Sequence, residues 1–531
     1  MRGADRQRVL DLVVGRVVEA QARQAGGDGH TLERVIHDTY YHERRRLDAE
    51  PRTRATQQTI RRWQERLRAL RTAGDAERRE VLADAVRDFA DEIVGHFDDR
   101  VYRLATSAVP VGLSAMLNAL SPKLLLRGFP HPPGIGDRVI LDGEIEAARR
   151  LLDRGTLVLT PTHLSHLDSV VVGYALHELG FPPFTYGAGL NLFTNPFVSF
   201  FMHNLGAYRV DRKKKADLYK DTLKEYATAT LEFGYHNLFF PGGTRSRSGA
   251  VEQHLKLGLL GAGLRAYVNN LREGRTKPNV YVVPCTINYY LVLEAETLID
   301  DHLKEAGKSR YIIDDDESTR PERVLSFLRN LFQLDARIVV HFGAPLDPFG
   351  NPVDADGRSL DGRGRPIDVR RYTYVRGVPA HDSQRDVEFT RQLGAALAVE
   401  LHRRNTVLST HAVAFAAFEA LSRRHPGVDL YRLLRLRASE RVLPESDLLA
   451  TVGRLQGVLT ERAAAGALRL GGRVQHDEPQ DVVADALRHF GIYHNRAALR
   501  REGDRLAADD MNLLLYYHNR LSSYGLEQVI P

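Results

Sequence analysis

The segment PTHLSHLDSV carries His163 and, five positions on, Asp168, directly after the short apolar run TLVLT (156–160). An imidazole at the end of a buried strand and a carboxylate at a helix start can form a base–orienter pair. The carboxylate fixes the tautomer and stabilises the imidazolium that forms when the base takes a proton. No serine or cysteine nucleophile is needed when such a base activates a hydroxyl of the substrate itself. On these residues alone a plainer reading stands beside it, in which Asp168 caps the helix beginning at Ser169 and His163 is a loop histidine. His166 creates a His-x-x-His pattern, but without a helical i,i+4 pair or a third ligand no metal site is expected.

Three further segments carry chemistry. In FFPGGTRSRSG (239–249), Gly242 and Gly243 let backbone N–H groups approach a ligand, Thr244, Ser246 and Ser248 add hydroxyls, and Arg245 and Arg247 bring planar donors suited to phosphate. The segment is neither a P-loop nor a dinucleotide fingerprint, and a glycine-rich turn with exposed arginines is its simpler reading. LGAYRVDRKKK (205–215) adds Arg209, Arg212 and the run Lys213, Lys214, Lys215, either a cationic landing site or a plain basic turn. VVPCTINY (282–289) ends an apolar strand on Pro284 and Cys285. Nothing near Cys285 would lower its pKa, so it reads as a small packed hydrophobe.

The elements that must position these residues follow from periodicity. Leu10, Val13, Val14 and Val17 recur at helical spacing, and the Arg/Glu/Asp/Ala-rich run 43–100 has no proline after Pro51, so the first hundred residues read as helices. From Val139 strands and helices alternate: strand RVILDG, helix 144–155, strand 156–160, helix 169–180, and β-rich runs at 236–243, 279–289 and 336–346. This grammar predicts an α/β fold with a mostly parallel sheet covered by helices. Residues 347–385 show little periodicity and read as a loop-rich insertion with a hairpin at RYTYVRG, and no internal repeat is evident. Helices return from about residue 388. The expected organisation is an N-terminal helical region (1–105), an α/β domain (106–420) and a C-terminal helical region (421–531).

Composition narrows the class. At 531 residues, 43% hydrophobic and 27% charged, the chain is ordinary globular material, neither disordered nor collagen-like. A net charge of +6 is mild for this length and suggests affinity for phosphates or anionic surfaces. Charges of both signs alternate along the N-terminal helices, so nucleic acid is not an expected partner. One cysteine excludes an internal disulfide and points to a reducing compartment. No secretory signal and no spanning helix are read from the sequence, while the apolar stretch 107–127 could lie in a membrane interface or be buried.

Taken in order, HLSHLD (163–168), GAYRVDR (206–212), FPGGTRSRSG (240–249) and VVPCTINY (282–289) resemble the four motif blocks of the glycerolipid acyltransferases. Within them the chain is similar to the bacterial glycerol-3-phosphate acyltransferases, over most of residues 100–525. Ser165 between the histidines, YGAGLNL (186–192) and LLLYYHNRLSSY (513–524) also carry the likeness. The resemblance implies an enzyme in which His163, held by Asp168, deprotonates the sn-1 hydroxyl of glycerol 3-phosphate for attack on the thioester of acyl-CoA or acyl carrier protein. It implies no other cofactor. Arg209, Arg212, Arg245 and Arg247 would surround the phosphate, with Ser165, Gly243, Thr244 and Ser246 shaping the substrate site. It also implies a peripheral enzyme at the cytoplasmic face of the inner or plasma membrane. Gly242 departs from the family, which usually places a glutamate there. That opens dihydroxyacetone phosphate, lysophosphatidate or another lysolipid as acceptors, or a catalytically weak lipid-binding relative, and leaves Glu252 as a candidate substitute.

Overall fold

The computed structural model describes residues 1, 3–26, 29–107, 138–190, 196–306, 337–491 and 493–530. Apart from residue 107, the stretch 107–127 lies outside them, as do two residues of YGAGLNL.

Four helices open the chain: α1 (Gly3–Gln24), α2 (Gly29–Asp48), α3 (Arg54–Leu70) and α4 (Asp75–Ile93). Each presents a narrow apolar stripe. α1 buries Val9, Leu10, Val13, Val14 and Val17, and α4 buries Leu82, Ala85, Val86, Phe89, Ala90 and Ile93. These stripes share one core with Tyr208, Leu218, Tyr219 and Tyr226 of the α/β region, so the N-terminal helices are packed onto it.

The α/β region runs β1 (Val139–Gly143), α5 (Ile145–Leu151), β2 (Gly155–Pro161), α6 (Asp168–Glu178), β3 (Thr185–Gly189), α7 (Pro196–Asn204), β4 (Ala207–Val210), α8 (Asp217–Glu232), β5 (Asn237–Leu238), α9 (Leu257–Arg272), β6 (Asn279–Tyr289), α10 (Ala295–Ala306) and β7 (Ile338–Phe342). The strands form one seven-stranded sheet in the order β1-β7-β6-β2-β5-β3-β4. All pairings are parallel except β6 with β7. β2 is buried at every position and β6 at all but its first, which explains their unbroken apolar runs: a parallel sheet covered on both faces offers strands no polar side.

β5 is shorter than the run 236–243 suggests, because only Asn237 and Leu238 pair with neighbours. Beyond them Pro241 and a left-handed Gly243 (φ 77°) turn the chain away into a loop, and that departure opens a cleft at the sheet's edge.

The insertion 347–385 corrects the reading that it has no repeat. Asp347, Asp354 and Asp361 recur every seven residues, each followed three positions on by a left-handed glycine, Gly350, Gly357 and Gly364. In each unit the aspartate Oδ1 accepts backbone N–H groups two and four residues ahead, at 2.8–2.9 Å. The period lies in turn-forming residues and not in apolar ones, so hydropathy does not reveal it. The RYTYVRG hairpin does form: Tyr374–Val375 pairs with Val378–Pro379 across Arg376 and Gly377, both at positive φ.

The C-terminal half adds α11 (Ser383–Arg404), α12 (Ser409–Arg424), α13 (Glu445–Ala464), α14 (Pro479–Phe490) and α15 (Met511–His518). Residues 420 and 421, the anticipated boundary, both lie inside α12. One continuous core joins Val283, Ile287 and Phe342 of the sheet to Phe415, Leu455, Phe490 and Leu514 of these helices.

Candidate active site

The site gathers at the C-terminal ends of β2, β5 and β6, the usual ligand edge of a parallel sheet. β2 ends at Pro161, and Thr162 anchors the loop beyond it: its N–H donates to the Cys285 carbonyl (2.9 Å) and its Oγ1 accepts from the Ile287 N–H (3.0 Å).

The loop 163–167 is wrapped around one carboxylate. Asp168 is fully buried, and its Oδ2 receives His163 Nδ1 at 2.9 Å, the Leu164 N–H at 2.7 Å and the Ser165 N–H at 2.9 Å. Its Oδ1 accepts the Tyr289 hydroxyl at 2.6 Å. Asp168 therefore does not cap α6; the residue before it, Leu167, makes no side-chain cap. With Nδ1–H turned to Asp168, the other ring nitrogen, Nε2, is the basic one. Phe240 stacks on the imidazole at 4.0 Å. Burial pulls His163 below its ordinary pKa, Asp168 opposes this, and the charges of Arg245 and Arg212 push the same way as burial. A neutral imidazole oriented by a carboxylate can act as a general base.

The FPGGTRSRSG loop grips the same histidine from the other side. The Ser246 N–H donates to the His163 carbonyl (2.7 Å), and the His163 N–H donates to Glu252 Oε1 (2.8 Å). A cleft of about 620 Å³ opens along this loop, lined by Gly242, Thr244, Arg245, Arg247, Glu252 and Lys256 among others. Thr244 is exposed there. Arg245 lies 3.5 Å from Glu294 Oε1, and Arg247 lies 2.5 Å from Glu305 Oε1 on α10. Arg212 follows β4 with its outer face exposed; desolvation by the surrounding protein and the like charges of Arg245 and Arg247 pull its pKa down. Arg245 and Arg247 line the cleft, and the charges of Arg245 and Arg212 act on the imidazole, an arrangement suited to an anion beside a base. The C-terminal tail is fastened to the catalytic loops. Asn519 Nδ2 donates to the Ser248 carbonyl (3.0 Å), Ser522 and Ser523 line the cleft, and Gly249 (φ 83°) lies so close that a Cβ there would overlap the Tyr516 carbonyl.

Several expected residues are placed differently. Ser165 was expected at the substrate, yet it is 1% exposed, and its hydroxyl donates to Glu294 Oε2 (2.8 Å), so it fastens the loop from beneath. The Ser246 hydroxyl donates to the Ala250 carbonyl (2.7 Å) and closes its own turn. Arg209 sits exposed on β4 and its charge acts on His203 of α7. The lysine run is not a uniform cationic surface. Lys214 is 5% exposed, bound to Glu92 (2.5 Å) and Glu43 (3.4 Å) and stacked over Phe89 at 4.6 Å, whereas Lys213 and Lys215 are exposed. Cys285 is buried, and burial pushes its thiol pKa well up.

Two acids outside the motif blocks complete the site: Glu294, which the sequence reading did not name, and Glu252, the candidate substitute for the family's glutamate. Glu294 is fully buried, receives the His166 N–H (3.0 Å) and the Ser165 hydroxyl, and has its carboxyl raised by burial against the pull of Arg245. Its one sequence signal is an acid isolated in the apolar run LVLEA. Glu252 lies beside Gly242: a Cβ at 242 would come within 3.1 Å of Glu252 Cγ, so this side chain fills the space a larger residue there would need.

Residues 143–288 match the acyltransferase family model. That stretch is similar to acyltransferase domains. The chain is similar to the glycerol-3-phosphate acyltransferase of Actinobacillus succinogenes, at 32% identity over 208 residues, 38% of this chain and 24% of that protein. The corresponding enzyme of Aeromonas hydrophila is 31% identical over 260 residues, 49% of this chain and 28% of that one. The matched stretch thus spans about a quarter of these relatives' length. Among solved structures, a 1-acyl-sn-glycerophosphate acyltransferase from Thermotoga maritima aligns at 16% identity over 46% of this chain and 87% of its own, with a TM-score of 0.23.

Proposed function

We propose that the protein transfers a fatty acyl group from a thioester donor, acyl-CoA or acyl carrier protein, to the sn-1 hydroxyl of glycerol 3-phosphate. The observation that carries this reading is the His163–Asp168 pair set beside the guanidiniums of Arg212 and Arg245, whose charges both act on the imidazole. The arginines hold the phosphate of the acceptor and so present its hydroxyl to His163 Nε2. The base takes the hydroxyl proton as the oxygen attacks the thioester carbonyl. Collapse of the tetrahedral adduct breaks the C–S bond, and the imidazolium returns its proton to the departing thiolate. Transfer is direct: the nearby Cys285 thiol and Ser165 hydroxyl are both buried, the first packed in the core and the second bound to Glu294. The products of such chemistry partition into bilayers, which supports a peripheral position at a membrane surface. No described helix is long and apolar enough to cross one.

The test is thiol release from palmitoyl-CoA and palmitoyl-acyl carrier protein against a panel of acceptors, in wild type, His163→Ala and Asp168→Asn. His163-dependent release with glycerol 3-phosphate supports the reading. His163-dependent release with lysophosphatidate or dihydroxyacetone phosphate alone would overturn the acceptor, and release independent of His163 would overturn the mechanism.

A further inference from the structure

Helix α3 breaks the alternation of sign along the N-terminal helices. Seven of the chain's 74 basic side chains and one of its 68 acidic ones fall within residues 52–71, which leaves 67 of each elsewhere. This one segment therefore carries the whole net charge of +6.

The helix has two faces. Trp63 and Leu70, 3% and 1% exposed, seat it against α2 and α4, with Trp63 tilted on Phe89 of α4 at 6.0 Å. Arg62 and Arg66 reach Asp88 of α4 at 3.3 and 2.6 Å. Arg61 and Arg68 each stand two positions before one of the buried pair, about 200° around the helix, and so lie on the opposite side. Arg54 precedes Arg61 by the same seven residues that separate Arg61 from Arg68. The three make a nearly straight row, spaced by about 10.5 Å over about 21 Å, and Arg52 and Arg71 flank it at the helix ends. All five are exposed. Among the described residues none of the five side chains has an ion pair, and neither has Glu65, the one acid in the segment.

What covers such a face follows from its chemistry. None of the large exposed apolar side chains of the described residues lies in 52–71. A stable protein partner needs an apolar centre to its interface. Single-stranded nucleic acid needs exposed rings to stack on, whereas Trp63 is buried with the Arg66 guanidinium 5.0 Å over its ring. An anionic lipid surface needs neither: it attracts basic side chains by charge and presents that charge along a plane.

We propose that the outer face of α3 is the surface by which the protein docks on an anionic phospholipid bilayer, with Arg54, Arg61 and Arg68 against the headgroups. The contact is electrostatic and shallow, because this face has no large apolar side chain to enter the hydrocarbon. The docked helix adjoins the turn that carries Arg212: Phe89, which Trp63 meets, lies 4.6 Å beneath Lys214, and Arg212 stands two residues before that lysine. The inference rests on the peripheral position proposed above and not on acyl transfer.

The test is co-sedimentation of the full chain with phosphatidylcholine vesicles, with and without about one-third phosphatidylglycerol, at ~0.1 M and ~0.5 M salt. Wild type is compared with Arg54→Gln/Arg61→Gln/Arg68→Gln, with the charge-keeping Arg54→Lys/Arg61→Lys/Arg68→Lys, and with Arg363→Gln/Arg435→Gln/Arg505→Gln, which removes three exposed arginines elsewhere. Wild type is expected to bind anionic vesicles at least tenfold tighter than neutral ones, and the higher salt to abolish the difference. The glutamine triple on α3 should weaken anionic binding at least tenfold, while the lysine triple and the distant triple stay within threefold of wild type. Equal binding of wild type to both vesicles, or an equal loss in the distant triple, overturns the proposal. Should the glutamine triple on α3 not fold, Arg61→Gln alone decides: a twofold or greater loss supports the proposal and no loss counts against it. A duplex oligonucleotide or acyl carrier protein held more tightly than anionic vesicles, and released by the same triple, overturns the lipid as occupant. Vesicle binding is read without turnover, so its failure and a failure of acyl transfer are distinguishable.

Discussion

His163, the proposed base, has a strength set by opposed neighbours. Burial, Arg245 and Arg212 favour the neutral ring and Asp168 favours the charged one, with the balance below the ordinary imidazole value. Because the neutral form takes the proton, kcat/KM should hold down to a pH below ~6.5 before falling. A limb above that value contradicts the assignment. His163→Ala is expected to lower kcat/KM by about 10²–10⁴-fold. Asp168→Asn should do comparable damage and move the acid limb lower still, since the group that favours imidazolium is gone. At this scale the sequence was legible where chemistry is local: His163 and Asp168 are five residues apart and do meet. Glu294 joins the loop across 129 residues, where no spacing announces it, whereas Glu252, which joins across 89, was named only as a stand-in for the family's glutamate.

Elements were legible in proportion to how much of their pattern they own. β6 runs Asn279–Tyr289 as its apolar stretch suggests, whereas β5 shrinks to two residues because the chain leaves the sheet to build the cleft. The turn after β4 shows how an element from elsewhere enters the site. Lys214 plugs this turn into α2 and α4 through Glu43 and Glu92, and Arg212 stands two residues away. Lys214→Met leaves Glu43, 1% exposed, with Arg46 as its remaining cation, so a loss of about 3 kcal/mol is expected in denaturant unfolding. The KM for glycerol 3-phosphate should rise with it, because Arg212 loses its anchor; unchanged stability would show that the buried lysine holds nothing. Gly249→Ala tests the tail in the same way. Its left-handed backbone and the Tyr516 carbonyl leave no room, so a cost of about 1–3 kcal/mol is expected, together with loss of activity.

Across the whole molecule, N-terminal helices, sheet and C-terminal helices share cores, and the structure holds histidines that burial keeps neutral. His236 and His341 are lowered to about 4 and His411 to about 3, by burial first, with Arg469 adding at His341 and Arg520 at His411. Unfolded, each would take a proton near ~6.5. Between that pH and about 4 the unfolded chain binds more protons than the folded one, so stability falls as pH drops through this window. Denaturation midpoints compared from pH 7.5 to pH 5 should decline; a flat or rising series would mean these rings are not buried neutral.

The tail that locks onto Ser248 lies 271 residues downstream of it. At ~5–20 residues per second of synthesis, a ribosome presents the catalytic loops roughly 14–54 s before the segment that closes them exists. During that interval the nascent chain owns its base and its arginines but not their clasp. Ribosome-bound chains stalled short of residue 511 should therefore be silent in thiol release, with activity beginning only once 511–524 has emerged.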